Sequence, residues 1–280
     1  MELNNKVVIC NALTDNITIH LQLLMDVEMG NTKCNCHITF SPTDKQLGEI
    51  ETWLLAERNK TGEGFYCNWN DIKKSYDKDR IVAISYTNKT IGFATYWLTS
   101  EKTACIEIAE VMLSQRRKGV GEILIAELLN YLKNKGICVV DLQCAPESSE
   151  PFWKRLGFVE FPEPTENYNF NAGENKKLYK ILTEHLQPSL IQANFETIEL
   201  WKDEPYRTKE NTQPSYIWEV EFIQGTRSLL KPIIQPCLPE WRMRWRINGK
   251  TIKDIRVKRF GIEIGFGAFV IIQELKIQSI

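Results

Sequence analysis

The chain has 280 residues, 43% of them hydrophobic and 25% charged, with 35 Lys and Arg balanced by 36 Asp and Glu. This is ordinary globular composition, long enough for one large domain or two ordinary ones. A net charge of −1 excludes a global polycation, and no apolar run reaches the length of a membrane span.

Residues 1–6 include Glu2 and no apolar h-region, so no signal peptide is expected and a cytoplasmic location is. Eight cysteines at irregular spacing fit a reducing compartment better than a disulfide scaffold. Cys34-Asn35-Cys36-His37 is half a metal site at most. Cys67 is the nearby further thiol and no CxxC partner exists, so no metal is expected.

An apolar run at 6–10 comes first. Residues 18–29 follow, with Ile19, Leu21, Leu23, Leu24 and Val27, and their periodicity leaves strand and helix both open. Residues 1–36 are expected as an N-terminal extension packed on the core. His37-Ile38-Thr39-Phe40 reads as a strand, and Ser41-Pro42 opens a helix with Leu47, Ile50, Leu54 and Leu55 on its apolar face. Residues 59–70 form a loop rich in aromatics, followed by a short polar helix from Asp71. Two strands, 80–87 and 90–99, are joined by Asn88-Lys89 as a two-residue turn.

Residues 105–113 are apolar and β-prone, the central strand. The next five residues are polar and cationic. From Val120 the apolar residues fall at Val120, Leu124, Leu128 and Leu132, with Ile123 and Tyr131 on the same face, and Gly136 stands where a helix C′ glycine belongs. Gly119 and Gly121 therefore lie between strand and helix, where the absence of Cβ lets backbone N–H groups approach a ligand. Arg116, Arg117 and Lys118 add three charges beside a helix N-terminus, a site suited to a phosphate or pyrophosphate. A Walker loop is excluded, because Glu122-Ile123 follows Gly121. Leu124 stands where a dinucleotide fingerprint needs its third glycine.

Residues 139–144 read as a second buried strand and 147–156 as a short helix, which Gly157 closes before Phe158 opens the next strand. A polar loop at 162–176 precedes a strand at 177–182. Beyond 195 helical periodicity is absent, and β-like runs at 197–201, 216–223, 241–247, 251–260 and 266–275 alternate with proline and glycine. Asn248-Gly249 is the strongest hairpin signal. Before it, Trp241, Met243, Trp245 and Ile247 share one face, while Arg242, Arg244 and Arg246 share the other. That ladder, with Lys250, Lys253, Arg256, Lys258 and Arg259, suits either a polyanion or the solvated outer face of a sheet.

Arg116-x-x-Gly119-x-Gly121 after a strand resembles the pyrophosphate loop of the GNAT superfamily of acyl-CoA-dependent N-acetyltransferases, whose signature is Arg/Gln-x-x-Gly-x-Gly/Ala. The segment from Phe152 through Trp153 to Gly157-Phe158 looks like that family's helix ending in Tyr-x-x-x-Gly-Phe. The resemblance covers roughly residues 36–182 and leaves out the last hundred or so. It implies an α+β fold with a mixed sheet over 37–183, the GNAT acyl-CoA N-acyltransferase fold. A smaller all-β domain, sandwich or barrel, follows at 190–280.

The resemblance further implies acetyl-CoA as co-substrate. The backbone of Val111, Met112 and Leu113 would meet the pantetheine and the acetyl carbonyl, and Arg116, Arg117, Lys118, Gly119, Val120 and Gly121 would take the pyrophosphate. Ser149 is the polar substitute near Pro146, which replaces a family asparagine. Trp153 stands where the family often has a tyrosine acid, and an indole is no proton source near neutral pH. Phe65, Tyr66 and Trp69 are candidate acceptor contacts, with core packing the equal alternative. Counted by two from Val111, Glu107 is the candidate general base, against a solvated edge residue. The implied function is acetyl transfer to a primary amine of a small molecule or peptide, by direct attack in a ternary complex. The alternative is a non-catalytic acyl-CoA-binding module whose β domain engages a protein partner. Neither nucleic acid nor membrane is expected as a partner, and a homodimer is left open.

Overall fold

The stretch that periodicity leaves open is a strand, β1 (Gln22–Met29), because it has a partner. β2 (Thr32–Phe40) pairs antiparallel along its whole length, with Gln22 opposite Thr39 and Met29 opposite Thr32. The computed structural model describes residues 22–29, 32–162, 176–189, 195–209, 211–260 and 269–276, with side chains from Cys36 onward. The apolar run at 6–10 and most of the loop at 162–176 lie outside them. Contacts divide the chain into two units, one within Met1–Trp97 and Ala104–Lys135, the other within Leu98–Thr103 and Gly136–Ile280.

In the first unit, helix α1 (Asp44–Thr61) begins slightly later than Ser41-Pro42 suggests, because Thr43 and Gln46 form a capping box. The Thr43 N–H donates to Gln46 Oε1 at 2.9 Å and the Gln46 N–H to Thr43 Oγ1 at 3.3 Å. The helix buries Ile50, Trp53 and Leu54, a stripe at i, i+3 and i+4. Leu55, expected on that face, lies one step round the helix and is exposed. A 3-10 turn, Phe65–Asn68, leads directly into α2 (Trp69–Tyr76). Strands β3 (Ile81–Tyr86), β4 (Lys89–Leu98) and β5 (Thr103–Val111) complete the sheet order β1-β2-β3-β4-β5. The β3–β4 turn is Thr87-Asn88, one residue earlier than expected. Both residues have positive φ, 48° and 61°, as the hairpin turn requires, and Lys89 already pairs with Tyr86. Helices α1 and α2 cover one sheet face through Ile50, Trp53, Leu54, Ile72, Ile81, Phe93 and Ile108. Helix α3 (Val120–Asn134) covers the other, its Tyr131 stacked 4.4 Å from Phe40.

In the second unit β6 (Val139–Gln143) is followed by a 3-10 turn, Glu147–Ser149, helix α4 (Glu150–Arg155), and strands β7 (Val159–Glu160) and β8 (Lys177–Ile181), paired in the order β6-β8-β7. The C-terminal region is all β. Strands β9 (Glu196–Trp201), β10 (Tyr216–Glu219), β11 (Ser228–Pro236), β12 (Arg242–Ile247), β13 (Lys250–Arg256) and β14 (Phe269–Glu274) form two sheets, β10-β9-β12-β13 and β11-β14. The β12–β13 hairpin turns at Asn248-Gly249 with φ of 49° and 76°, as the sequence predicts. Strand β11 is the unexpected one, because Pro232 and Pro236 lie in it. In a two-stranded sheet, one edge needs no donors, so proline is tolerated there.

Both sheets feed one hydrophobic cluster. Ile198, Leu200, Trp218, Met243 and Trp245 meet Ile233, Ile234, Ile271 and Ile272, and the same cluster takes in Cys138, Val139 and Phe161. Phe269 lies 5.4 Å from both Phe161 and Tyr179. The boundary expected between 183 and 190 thus falls inside this unit. The α+β class with an all-β C-terminal region is the one found.

Candidate active site

The end of β5 runs through a 3-10 turn, Leu113–Gln115, into the loop 116–119 and then α3. Arg117 and Gly119 both have left-handed backbones, φ 65° and 81°, and these two bends swing the chain from strand into helix within four residues. No side chain caps the helix N-terminus. Val120 is buried at its first position, and Gly121, expected in the turn, lies in the first helical turn instead. Arg117 and Lys118 are exposed beside it, Lys118 donating to Gln115 Oε1 at 3.1 Å. An uncapped helix N-terminus flanked by two cations fits a phosphate group.

Arg116 is turned the other way. Its Nε donates to the Val111 carbonyl at 2.9 Å, and its Nη2 lies 2.6 Å from Glu110 Oε1 and 3.6 Å from Glu57 Oε2. Its charge is therefore spent on two carboxylates of this chain. The three backbone donors expected to meet the acyl carrier are engaged as well. The Val111 N–H donates to Glu110 Oε1 at 3.1 Å, the Met112 N–H to the Ile91 carbonyl at 2.8 Å, and the Leu113 N–H to Glu57 Oε1 at 2.6 Å. Burial pushes the Glu110 carboxyl above the usual carboxylate range, although the Arg116 guanidinium pulls it down. Of the expected strand donors, those of Val111 and Leu113 open to a ligand only when a carboxylate lets go.

Glu57 is the residue that sequence reasoning missed. Its signal was its place on α1: four residues after Trp53 and three after Leu54, it continues the buried stripe with a carboxylate. Glu107, the expected base, is exposed on the β5 face it shares by alternation with Val111, while Ile108 packs on the face toward α1 and α2. Phe65, Tyr66 and Trp69 are half-buried against the cluster under α1 and α2. Tyr66 stacks on Trp69 at 6.4 Å, with the Arg58 guanidinium 5.6 Å from its ring. They serve packing and keep a partly open surface, so both roles expected of them remain available. In the second unit Ser149 ends the 3-10 turn before α4, and Trp153 is buried edge-on to Phe152 and Phe158, at 5.0 and 5.4 Å.

The arginine ladder is neither a bare basic face nor a solvated one. Arg242 and Arg244 converge on Asp254, at 2.6 and 2.8 Å, and Arg244 and Arg246 on Glu199, at 3.5 and 3.6 Å. Glu199 is 2% exposed. The indole of Trp201 lies under the Arg242 and Arg244 guanidinium groups at 4.6 and 4.9 Å. Neighbouring strands supply the acids that the ladder itself lacks. Among the described residues no three His, Cys, Asp or Glu side chains converge to hold a metal ion, and no helix is long and apolar enough to cross a membrane.

Residues 45–158 match the model of the acetyltransferase (GNAT) family. A curated relative, an uncharacterized N-acetyltransferase of Methanocaldococcus jannaschii, is 32% identical over 92 residues, 30% of this chain and 41% of that protein. The chain thus spans about two-fifths of that relative's length. Among solved structures, Ard1 of Thermoplasma volcanium is 20% identical, with 53% of this chain and 99% of that one covered and a TM-score of 0.41. The PaiA N-acetyltransferase of Thermoplasma acidophilum, solved with coenzyme A, is 17% identical, with 52% and 98% covered and a TM-score of 0.39.

Proposed function

Because residues 45–158 match the model of the acetyltransferase (GNAT) family, we propose that the protein is an N-acetyltransferase that moves an acetyl group from acetyl-CoA to a primary amine of a small molecule or peptide. The observation that carries the reading is the uncapped N-terminus of α3, entered through Arg117 and Gly119 in left-handed conformation, within the segment the family model matches. Bound acetyl-CoA would supply the acyl group as an activated thioester.

The chain's own residues have separate tasks in this reading. The first turn of α3, with Gly119, Val120 and Gly121, binds the diphosphate, and Arg117 and Lys118 add charge. Arg116 orders the loop by holding the Val111 carbonyl and Glu110. The end of β5, at Val111 and Leu113, orients the acyl chain. Glu107, exposed on the Val111 face, takes a proton from the attacking amine, directly or through water. Phe65, Tyr66 and Trp69 line the acceptor side, while Ser149 and Trp153 belong to the carrier's side. Residues 37–183 do the chemistry in a ternary complex, and residues 190–280 are accessory.

Incubation with acetyl-CoA and a panel of primary amines, followed by free thiol, tests the reading. Amine-dependent thiol release is expected, falling by roughly 10²-fold or more in Glu107→Gln if that carboxylate is the base. No release above background with any acceptor would overturn turnover.

A further inference from the structure

We infer that Glu57 is a positioning residue that latches the end of β5 shut and yields to the acyl carrier, so that the donor site and the acceptor-side helix α1 respond to each other. The inference rests on the acetyltransferase reading. The Leu113 N–H lies just past the end of β5, in the 3-10 turn. It donates at 2.6 Å to a carboxylate 56 residues away in sequence, and Leu113 itself is 47% exposed. The bond is thus a tie between two elements at the surface.

Charge argues that the tie is made to open. Glu57 and Glu110 share one guanidinium, that of Arg116, so the strand end carries two negative charges against one positive. A phosphate-bearing ligand arriving nearby raises the cost of the extra carboxylate. If Glu57 leaves, Glu110 and Arg116 remain a balanced pair and the Leu113 donor is exposed. The position on α1 points the same way. Glu57 sits toward the helix C-terminus, where the dipole disfavours an anion, so its contacts with Leu113 and Arg116 are what hold it there. Just beyond lies the aromatic turn of Phe65 and Tyr66, with Arg58 over the Tyr66 ring. Release of Glu57 loosens the helix end that leads into that turn.

The test uses the full chain with Glu57→Ala and Glu57→Gln, and reads Leu113 amide exchange and coenzyme A affinity by titration. In Glu57→Ala the Leu113 amide is expected to exchange about tenfold faster, and coenzyme A to bind about tenfold more tightly. Glu57→Gln keeps an acceptor but no charge, so it should retain most of the Leu113 protection while still binding coenzyme A more tightly than wild type. Unchanged Leu113 exchange in Glu57→Ala, or normal coenzyme A binding that neither variant strengthens, would overturn the latch alone. Absence of coenzyme A binding in the wild type would overturn the acetyltransferase reading and the latch with it.

Discussion

Glu110 is a carboxylate on the buried side of β5, tied to Arg116 and to its own neighbour's amide, and burial raises its pKa from the ordinary value. The folded chain therefore holds the Glu110 proton more tightly than the unfolded chain does. The group contributes stability below the ordinary carboxylate pKa, and that contribution is lost as pH rises through the raised value. Glu110→Gln should flatten this slope: between pH 4 and pH 8, the wild type should lose more stability than the variant in urea titrations. Parallel profiles would contradict the assignment. Within the strand expected at 105–113, alternation turns Glu110 away from Val111, but gives it no partner. What the sequence hid is that the same Arg116 guanidinium also meets Glu57, which lies on another element, and one-dimensional patterns carry no distances between elements. The strand-loop-helix passage was legible for the opposite reason: glycines, cations and helix start lie within six residues.

At the scale of elements, the approach of β4 to β5 depends on Gly92. A Cβ built there would lie 3.0 Å from the Glu110 carbonyl oxygen and from Ile84 Cγ2, and 3.3 Å from Val111 Cγ2. Gly92→Ala is accordingly expected to cost about 1–3 kcal/mol by chemical unfolding. It should also weaken coenzyme A binding, since the strand end that moves carries the proposed site; a variant as stable as wild type would refute the close approach. Helix α3 could be read from sequence because its periodicity spans four turns with a glycine stop. Strand β1 could not, since a short apolar run becomes a strand only when a neighbour such as β2 supplies hydrogen bonds. The prolines of β11 concealed a strand for a related reason, that a missing donor matters only where a partner would have used it.

For the molecule as a whole, β14 is coupled to the region around β7 and β8 through side chains far apart in sequence. Phe269 packs on Phe161 and Tyr179, inside the cluster that includes Cys138 and Val139. Phe269→Ala should destabilise the protein by about 3–5 kcal/mol, measured as the urea midpoint at constant slope. A loss under about 1 kcal/mol would mean that the C-terminal region packs loosely. The change of pattern near residue 183 was visible in the sequence as helical periodicity giving way to short β runs. The shared core was not, because Phe161 just after β7, Tyr179 on β8 and Phe269 on β14 each look like an ordinary core aromatic of their own segment.

That aromatic trio also limits how such a chain can diversify. A shorter descendant stripped of its final ninety residues would present Phe161 and Tyr179 to water. Such a truncation survives only alongside compensating polar replacements at those two sites, or with another protein lying over them. Inheritance of the tail and the greasiness of that edge should therefore travel together through any lineage that keeps this architecture.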